Sequence, residues 1–155
     1  MKGKQVTLSK AKVSSDAARQ PRPGHKVIRL GPDGAACIEG FRCPECGAVA
    51  LEQTMACRSC AGRAPLEAFR SAETGSLYSW GVIHRSYPGI EVPFVSAIVD
   101  LDGGMTLKGT LRGIEPELLR VGSRLQVKFD DAGGAVDKDG APYVGFHFVT
   151  EGGPE

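Results

Sequence analysis

Two Cys-x-x-Cys pairs set the strongest limit on what this chain can fold into. Cys43-Pro-Glu-Cys46, with Gly47 after it, is followed by Cys57-Arg-Ser-Cys60, ten residues separating Cys46 from Cys57. In each turn the two sulfurs, three residues apart, face one point, and a small residue such as Gly47 lets backbone N–H groups bend toward sulfur. Four thiolates so placed suit a single tetrahedral ion, Zn²⁺ first, at Zn–S distances of about 2.3 Å. An iron centre would use the same ligands. Four protein ligands close the coordination sphere and leave no position for water or substrate, so the site reads as structural. The 18-residue stretch from Cys43 to Cys60 is too short to bury a core of its own. Metal binding can supply roughly 10–16 kcal/mol of apparent folding free energy in such peptides.

Other uses of the thiols fit less well. Five cysteines is an odd count, and no charged-then-apolar leader opens the chain, so a disulfide framework is not expected. A thioredoxin-like motif needs only one pair, opening a helix. The fifth thiol, Cys37, lies in the apolar run Ala35-Ala36-Cys37-Ile38 and is expected as a small buried side chain rather than a nucleophile.

Composition narrows the architecture. Twenty-one glycines and ten prolines make a fifth of the 155 residues, which suits short strands and many turns better than a helical bundle. The formal charge is +1, so no net field draws the chain to nucleic acid or membrane. No apolar run approaches the ~20 residues that a bilayer span requires. A cytoplasmic protein without a membrane partner is expected.

Along the chain, residues 1–24 read as a disordered basic tail, with six Lys and Arg against Asp16 and a Pro21-Arg22-Pro23-Gly24 end. Residues 25–72 read as a hairpin, turning at Gly31-Pro-Asp-Gly34, that leads into a rubredoxin-like zinc ribbon and a connecting strand over Ala64–Ala72. From residue 73 to 151 alternation with period two dominates. Strands are expected at Ser76–Arg85, Phe94–Leu101, Met105–Arg112, Arg124–Asp130 and Tyr143–Val149. In the third, Met105, Leu107, Gly109 and Leu111 face one way, and Thr106, Lys108, Thr110 and Arg112 the other. A short helical turn over Ile114–Arg120, with Pro116 in its first turn and Gly122 past its end, separates the third and fourth strands. That order is the order of a five-stranded OB-fold barrel, and the fold class is mainly β.

The ribbon-then-barrel arrangement resembles the acyl-CoA-associated zinc-ribbon/OB-fold proteins, small accessory subunits of thiolase-like enzymes. The similar residues are Arg42-Cys43-x-x-Cys46-Gly47, Cys57-x-x-Cys60, Gly75-x-Leu-Tyr-Ser-Trp-Gly-Val-Ile-His84 and Pro93-Phe-Val-x-Ala-Ile-Val-Asp-Leu101. Leu107-Lys-Gly109, Pro116-Glu-Leu-Leu-Arg-Val-Gly122 and Leu125-Gln-Val-Lys-Phe129 continue the match. Two departures stand out: family members commonly carry a helical pair before the ribbon and a proline-rich stretch between the knuckles, and Ala48–Ala56 here has no proline. The resemblance implies a non-catalytic subunit of a heteromeric acyl-CoA enzyme. Its partner would be a thiolase-fold catalytic subunit, such as a β-ketothiolase of the benzoylsuccinyl-CoA thiolase kind or an acyl-CoA aldolase. Coenzyme A would then lie at a shared site, with Lys108, Arg112, Arg85 and Tyr87 as candidate phosphate or partner contacts.

The residues themselves give catalysis little support. None of His25, His84 and His147 neighbours an obvious nucleophile, and no nucleophile elbow, phosphate loop or metal-hydrolase helix is present. On strands, His84 and His147 suit hydrogen-bonded structural roles. A single-stranded nucleic-acid-binding module is the alternative from another class. It would need base-stacking aromatics on the second and third strands and a basic groove. Outward positions of the third strand hold no aromatic, and the second offers Phe94 alone. Lys108, Arg112, Arg124 and Lys128 otherwise read as a solvated sheet face. The loop Arg85–Pro93 carries Tyr87, Ile90 and Val92, either as an interface or folded back to cap the barrel.

Overall fold

The computed structural model describes residues 19–152. Five strands form the larger unit: β6 (Thr74–Ile83), β7 (Phe94–Leu101), β8 (Thr106–Leu111), β9 (Arg124–Asp130) and β10 (Tyr143–Thr150). Preceding them are β1 (Arg22–Pro23), β2 (Ile28–Leu30), β3 (Ala36–Arg42), β4 (Val49–Ala50) and β5 (Glu67–Arg70). The only helical pieces among the described residues are 3-10 turns at Pro116–Leu118 and Ala132–Gly134.

Neighbour order β6-β7-β8-β10-β9, with β9 returning to β6, closes the five strands into a barrel. All contacts are antiparallel except β8 with β10, which run parallel and meet at Leu111 and Phe148. This is the OB-fold expected from the strand order. Alternation sets which side chains point inward. Leu107 and Leu111 are buried while Thr106 and Lys108, on either side of Leu107, are exposed, and Leu125 and Val127 are buried on β9. Gly109 is the small member of the inward series. A Cβ there would lie 2.9 Å from Cε2 of Phe148 and 3.0 Å from Cε2 of Phe146. The close crossing of β8 and β10 is therefore built around a missing side chain. The short helical turn expected over Ile114–Arg120 is a single 3-10 turn opened by Pro116, and Leu119 just beyond it is fully buried under the barrel end.

The smaller unit is the hairpin and ribbon. β2 pairs antiparallel with β3 (Ile28 opposite Ile38), and β3 also pairs with β4 and β5. Two hydrophobic clusters result. Val27 and Ile38 join the barrel residues Leu77, Val99, Met105, Leu107, Leu125 and Phe148 in one core. Cys43, Cys57 and Leu66 form the other, backed by Phe41, Ala48 and Ala50. The hairpin is thus anchored in the barrel core, Val49 and Leu51 of the ribbon pack against that core from outside, and the knuckle turns themselves rest on the second cluster.

Two expectations need correction here. The N-terminal tail does not run to residue 24: its first eighteen residues lie outside the described ones, but Arg22 and Pro23 pair in parallel with Tyr143 and Val144 of β10. Arg22 N–H donates to Pro142 O at 2.9 Å and Gly24 N–H to Val144 O at 2.8 Å, so the strap fills the edge of β10 that β8 does not reach. Arg22 Nε also sits 2.9 Å from Asp137 Oδ2, whose side chain is 3% exposed, in the β9–β10 loop. Cys37, expected to be buried, is half-buried on β3 opposite Arg29 and lies apart from the other four thiols.

Candidate metal centre

Each knuckle is one tight turn built the same way. Cys43 N–H donates to Ala48 O and Gly47 N–H returns to Cys43 O, at 2.8 and 2.9 Å. In the second, Cys57 N–H donates to Gly62 O and Ala61 N–H to Cys57 O, at 2.8 and 2.9 Å. The residue after the second cysteine must take a left-handed conformation, and Gly47 does so at φ 75°. At the matching place stands Ala61, at φ 61°. A Cβ there costs about 1–2 kcal/mol, which glycine would avoid at an entropic cost of about 0.5–1 kcal/mol. The glycine of this knuckle is one position later, at Gly62, where Glu45 crosses from the first knuckle and its carboxylate faces Ala64 N–H. Ala61→Gly is therefore expected to raise the Tm of the metal-loaded protein by a few degrees and to slow metal loss to a chelator. A lowered Tm by differential scanning fluorimetry would count against the strain.

The four sulfurs converge, all within 4.8 Å of one another. Cys43 Sγ lies 3.8 Å from Cys60 Sγ, and Cys46 Sγ 3.7 Å from Cys57 Sγ. Bonds of about 2.3 Å at tetrahedral angles put sulfurs about 3.8 Å apart, whereas a disulfide needs about 2.05 Å. The spacing thus fits one ion and no disulfide. Cys43 and Cys57 are buried and Cys46 and Cys60 exposed, so each knuckle supplies one inner and one outer ligand. Ser59 N–H points at Cys57 Sγ and Gly62 N–H at Cys60 Sγ, both at 3.4 Å. Backbone N–H groups of Cys60 and Ser59 pull the Cys57 thiol down to about 6. Against the pull of Gly62 N–H, hydrogen bonding to Cys46 and its neighbours pushes Cys60 up to about 12. Four sulfurs this close cannot all ionise without a cation between them. The donor set fits a resident metal ion, which would need all four thiolates and would tie the two knuckles into one unit.

The other candidate contacts are not gathered. Lys108 lies exposed on the outer face of β8, beside a shallow cleft with His25, Phe94 and Ser96. Arg112, just past the end of β8, turns to Asp130 Oδ2 at 3.3 Å. The same oxygen lies 2.7 Å from Nδ1 of His147, which sits across from Lys128 on β10. This Arg112–Asp130–His147 cluster ties the segment after β8 to β9 and β10, and no spacing in the sequence announces it. Arg85 and Tyr87 stand on the β6–β7 loop, where Tyr87 is 83% exposed and Ile90 51%. The loop's apolar side chains are therefore presented to solvent, and Ile90 flanks a groove that it shares with Val82, Pro93 and Pro116. Among the described residues no helix is long and apolar enough to cross a membrane.

Comparison with known proteins agrees with this architecture. Residues 70–130 match the family described as ChsH2, C-terminal OB-fold domain. A DUF35 domain-containing scaffold protein of Methanocaldococcus jannaschii is 27% identical over 95 residues, covering 60% of this chain and 67% of the relative. The 3-oxo-4,17-pregnadiene-20-carboxyl-CoA hydratase alpha subunit of Mycobacterium tuberculosis is 34% identical over 68 residues, 43% of this chain but only 22% of that protein. Among solved structures, a chain of the Ltp2-ChsH2(DUF35) aldolase superposes with a TM-score of 0.59 at 25% identity, covering 74% of this chain and 84% of that one. The expected resemblance to acyl-CoA-associated ribbon/OB-fold proteins therefore stands.

Proposed function

We propose that this chain, a homologue of DUF35 scaffold proteins with a barrel of the ChsH2 C-terminal kind, is a non-catalytic accessory subunit of a heteromeric acyl-CoA enzyme. The observation that carries the reading is its fit, over most of both chains, to a chain of the Ltp2-ChsH2(DUF35) aldolase. The site chemistry agrees. A four-cysteine cage has no open coordination position, and the resident ion we assign to it, one zinc, holds the ribbon rather than a substrate. His147 is hydrogen-bonded to Asp130 on the barrel wall, beside Arg112, and no nucleophilic side chain joins that cluster.

The partner we assign is a thiolase-fold catalytic subunit in the cytoplasm, stabilised by this chain, with coenzyme A bound where the two meet. For the reaction we favour a β-ketothiolase, of which benzoylsuccinyl-CoA thiolase is the specific candidate. An aldolase partner is the second reading, favoured by the solved relative being a chain of an aldolase. Co-expression with a thiolase-fold catalytic protein, a β-ketothiolase in one arm and an acyl-CoA aldolase in the other, tests both. The two are expected to co-purify, and the pair to turn over at least tenfold faster than the partner alone. Cleavage that consumes free coenzyme A identifies the thiolase, and cleavage without it the aldolase. Turnover by this chain alone, or full activity of a partner that does not associate, would refute the accessory role.

A further inference from the structure

β6 is paired on both sides for only part of its length. β9 meets it at Thr74, Gly75 and Ser76, and the last bonds on that side are Leu77 N–H to Ser123 O at 2.9 Å and Gly122 N–H to Leu77 O at 2.8 Å. A bulge falls between Leu77 and Ser79, and from Ser79 to Ile83 the strand pairs with β7 alone. Among the described residues the backbone on the far side of these five residues has no partner. Natural edges are guarded by charge, proline or a covering segment, because an open row of N–H and C=O groups accepts any strand. The opposite edge of the barrel obeys that rule: the strap Arg22–Pro23 covers β10. The run Tyr78-Ser-Trp-Gly-Val-Ile83 has no charge and no proline. Gly81 is exposed, with nothing within 4 Å of where a Cβ would stand. Tyr78 is 62% exposed and Val82 37%.

We infer that the Ser79–Ile83 edge of β6 docks an extended, uncharged segment of the catalytic partner as an added strand. The inference rests on the accessory-subunit reading and says where that partner binds. In strand addition, main-chain bonds give affinity and pockets for alternate side chains give specificity. Here the pocket adjoins the edge. Val82 pairs with buried Val95, so both face the groove that Ile90, Pro93 and Pro116 also line. Alternate apolar residues of an added strand would face the same way. A second copy of this chain is the poorer occupant. On that face its β6 carries Trp80 and Val82, and Trp80 is already packed against its own core. It would bring the groove little beyond one valine.

Hydrogen exchange on the full chain, alone and bound to the co-expressed thiolase-fold protein, tests the edge. In the free chain the outward amides within Ser79–Ile83 are expected to exchange within seconds. In the complex they are expected to slow at least a hundredfold. Val82→Lys, which places a charge beside the edge, is expected to weaken association at least tenfold and leave Tm within a few degrees. A complex that forms with those amides still fast overturns the docking edge and leaves the accessory role intact. Failure to form any complex overturns the accessory role, and the edge with it. Slow exchange in the isolated chain also overturns the proposal: light scattering showing a dimer then assigns the edge to a second copy, and a monomer assigns it to the chain's own terminal residues.

Discussion

Replacing Cys43 or Cys57 by serine is expected to abolish metal retention and to unfold the segment from Phe41 to Leu66, while the barrel stays folded. These are the two inner ligands, 1% and 6% exposed, and they are also the centre of the small apolar cluster with Leu66. Beyond that cluster the ribbon adds only Val49 and Leu51, partly buried against the barrel core, so the ion's contribution, roughly 10–16 kcal/mol in comparable peptides, dominates its stability. The barrel has its own core, and Val27 and Ile38 keep β2 and the start of β3 pinned to it. Hydrogen exchange should therefore rise sharply between residues 41 and 66 and little elsewhere. Elemental analysis should find one equivalent of zinc in the native chain and less than a tenth in either variant. Cys37→Ser, on β3 away from the cage, should keep the full equivalent. A Cys43→Ser protein that still holds stoichiometric metal, or whose barrel melts with its ribbon, would contradict this division of labour.

The strands were readable where one face meets the core and the other meets water. Leu107, Leu111, Leu125 and Val127 announce their strands because a one-residue slip would put each of them in solvent. The cage was readable for a different reason: four soft ligands in two short turns restrict the chain more than any apolar pattern does. Features made by chain crossings left no such mark. Arg22 and Pro23 look like a break, and become a strand only because Pro142 and Val144 offer carbonyls to the N–H groups of Arg22 and Gly24. Val27 precedes a three-residue strand and Ile38 lies on that strand's partner, and nothing so short shows that they enter the barrel core. The bulge after Leu77 interrupts the alternation of β6, and with it the partnership with β9. Arg112 follows β8, Asp130 ends β9 and His147 lies on β10, so only the closed barrel brings them together.

Phe148→Ala is expected to cost about 3–5 kcal/mol, because a fully buried aromatic leaves a cavity that its neighbours cannot fill. For a chain of this size that is a fall in Tm of roughly 10 °C or more. The position is special within the core. Phe148 is where β10 meets β8, opposite Leu111, and its carbonyl accepts the Arg112 N–H at 2.9 Å. Its ring lies edge-on to Phe146 at 5.7 Å and covers the space left at Gly109. The same crossing predicts the reverse injury. Gly109→Ala places a methyl about 3 Å from both rings and is expected to cost about 1–3 kcal/mol by overpacking. Combining Gly109→Ala with Phe148→Leu separates the two effects. If the seam closes by ring-against-glycine packing, the smaller side chain makes room for the methyl, and the double variant is more stable than the sum of the single losses predicts. Strictly additive losses in denaturant titrations would mean that the ring and the glycine do not share one space, and that the barrel is closed by its hydrogen bonds alone.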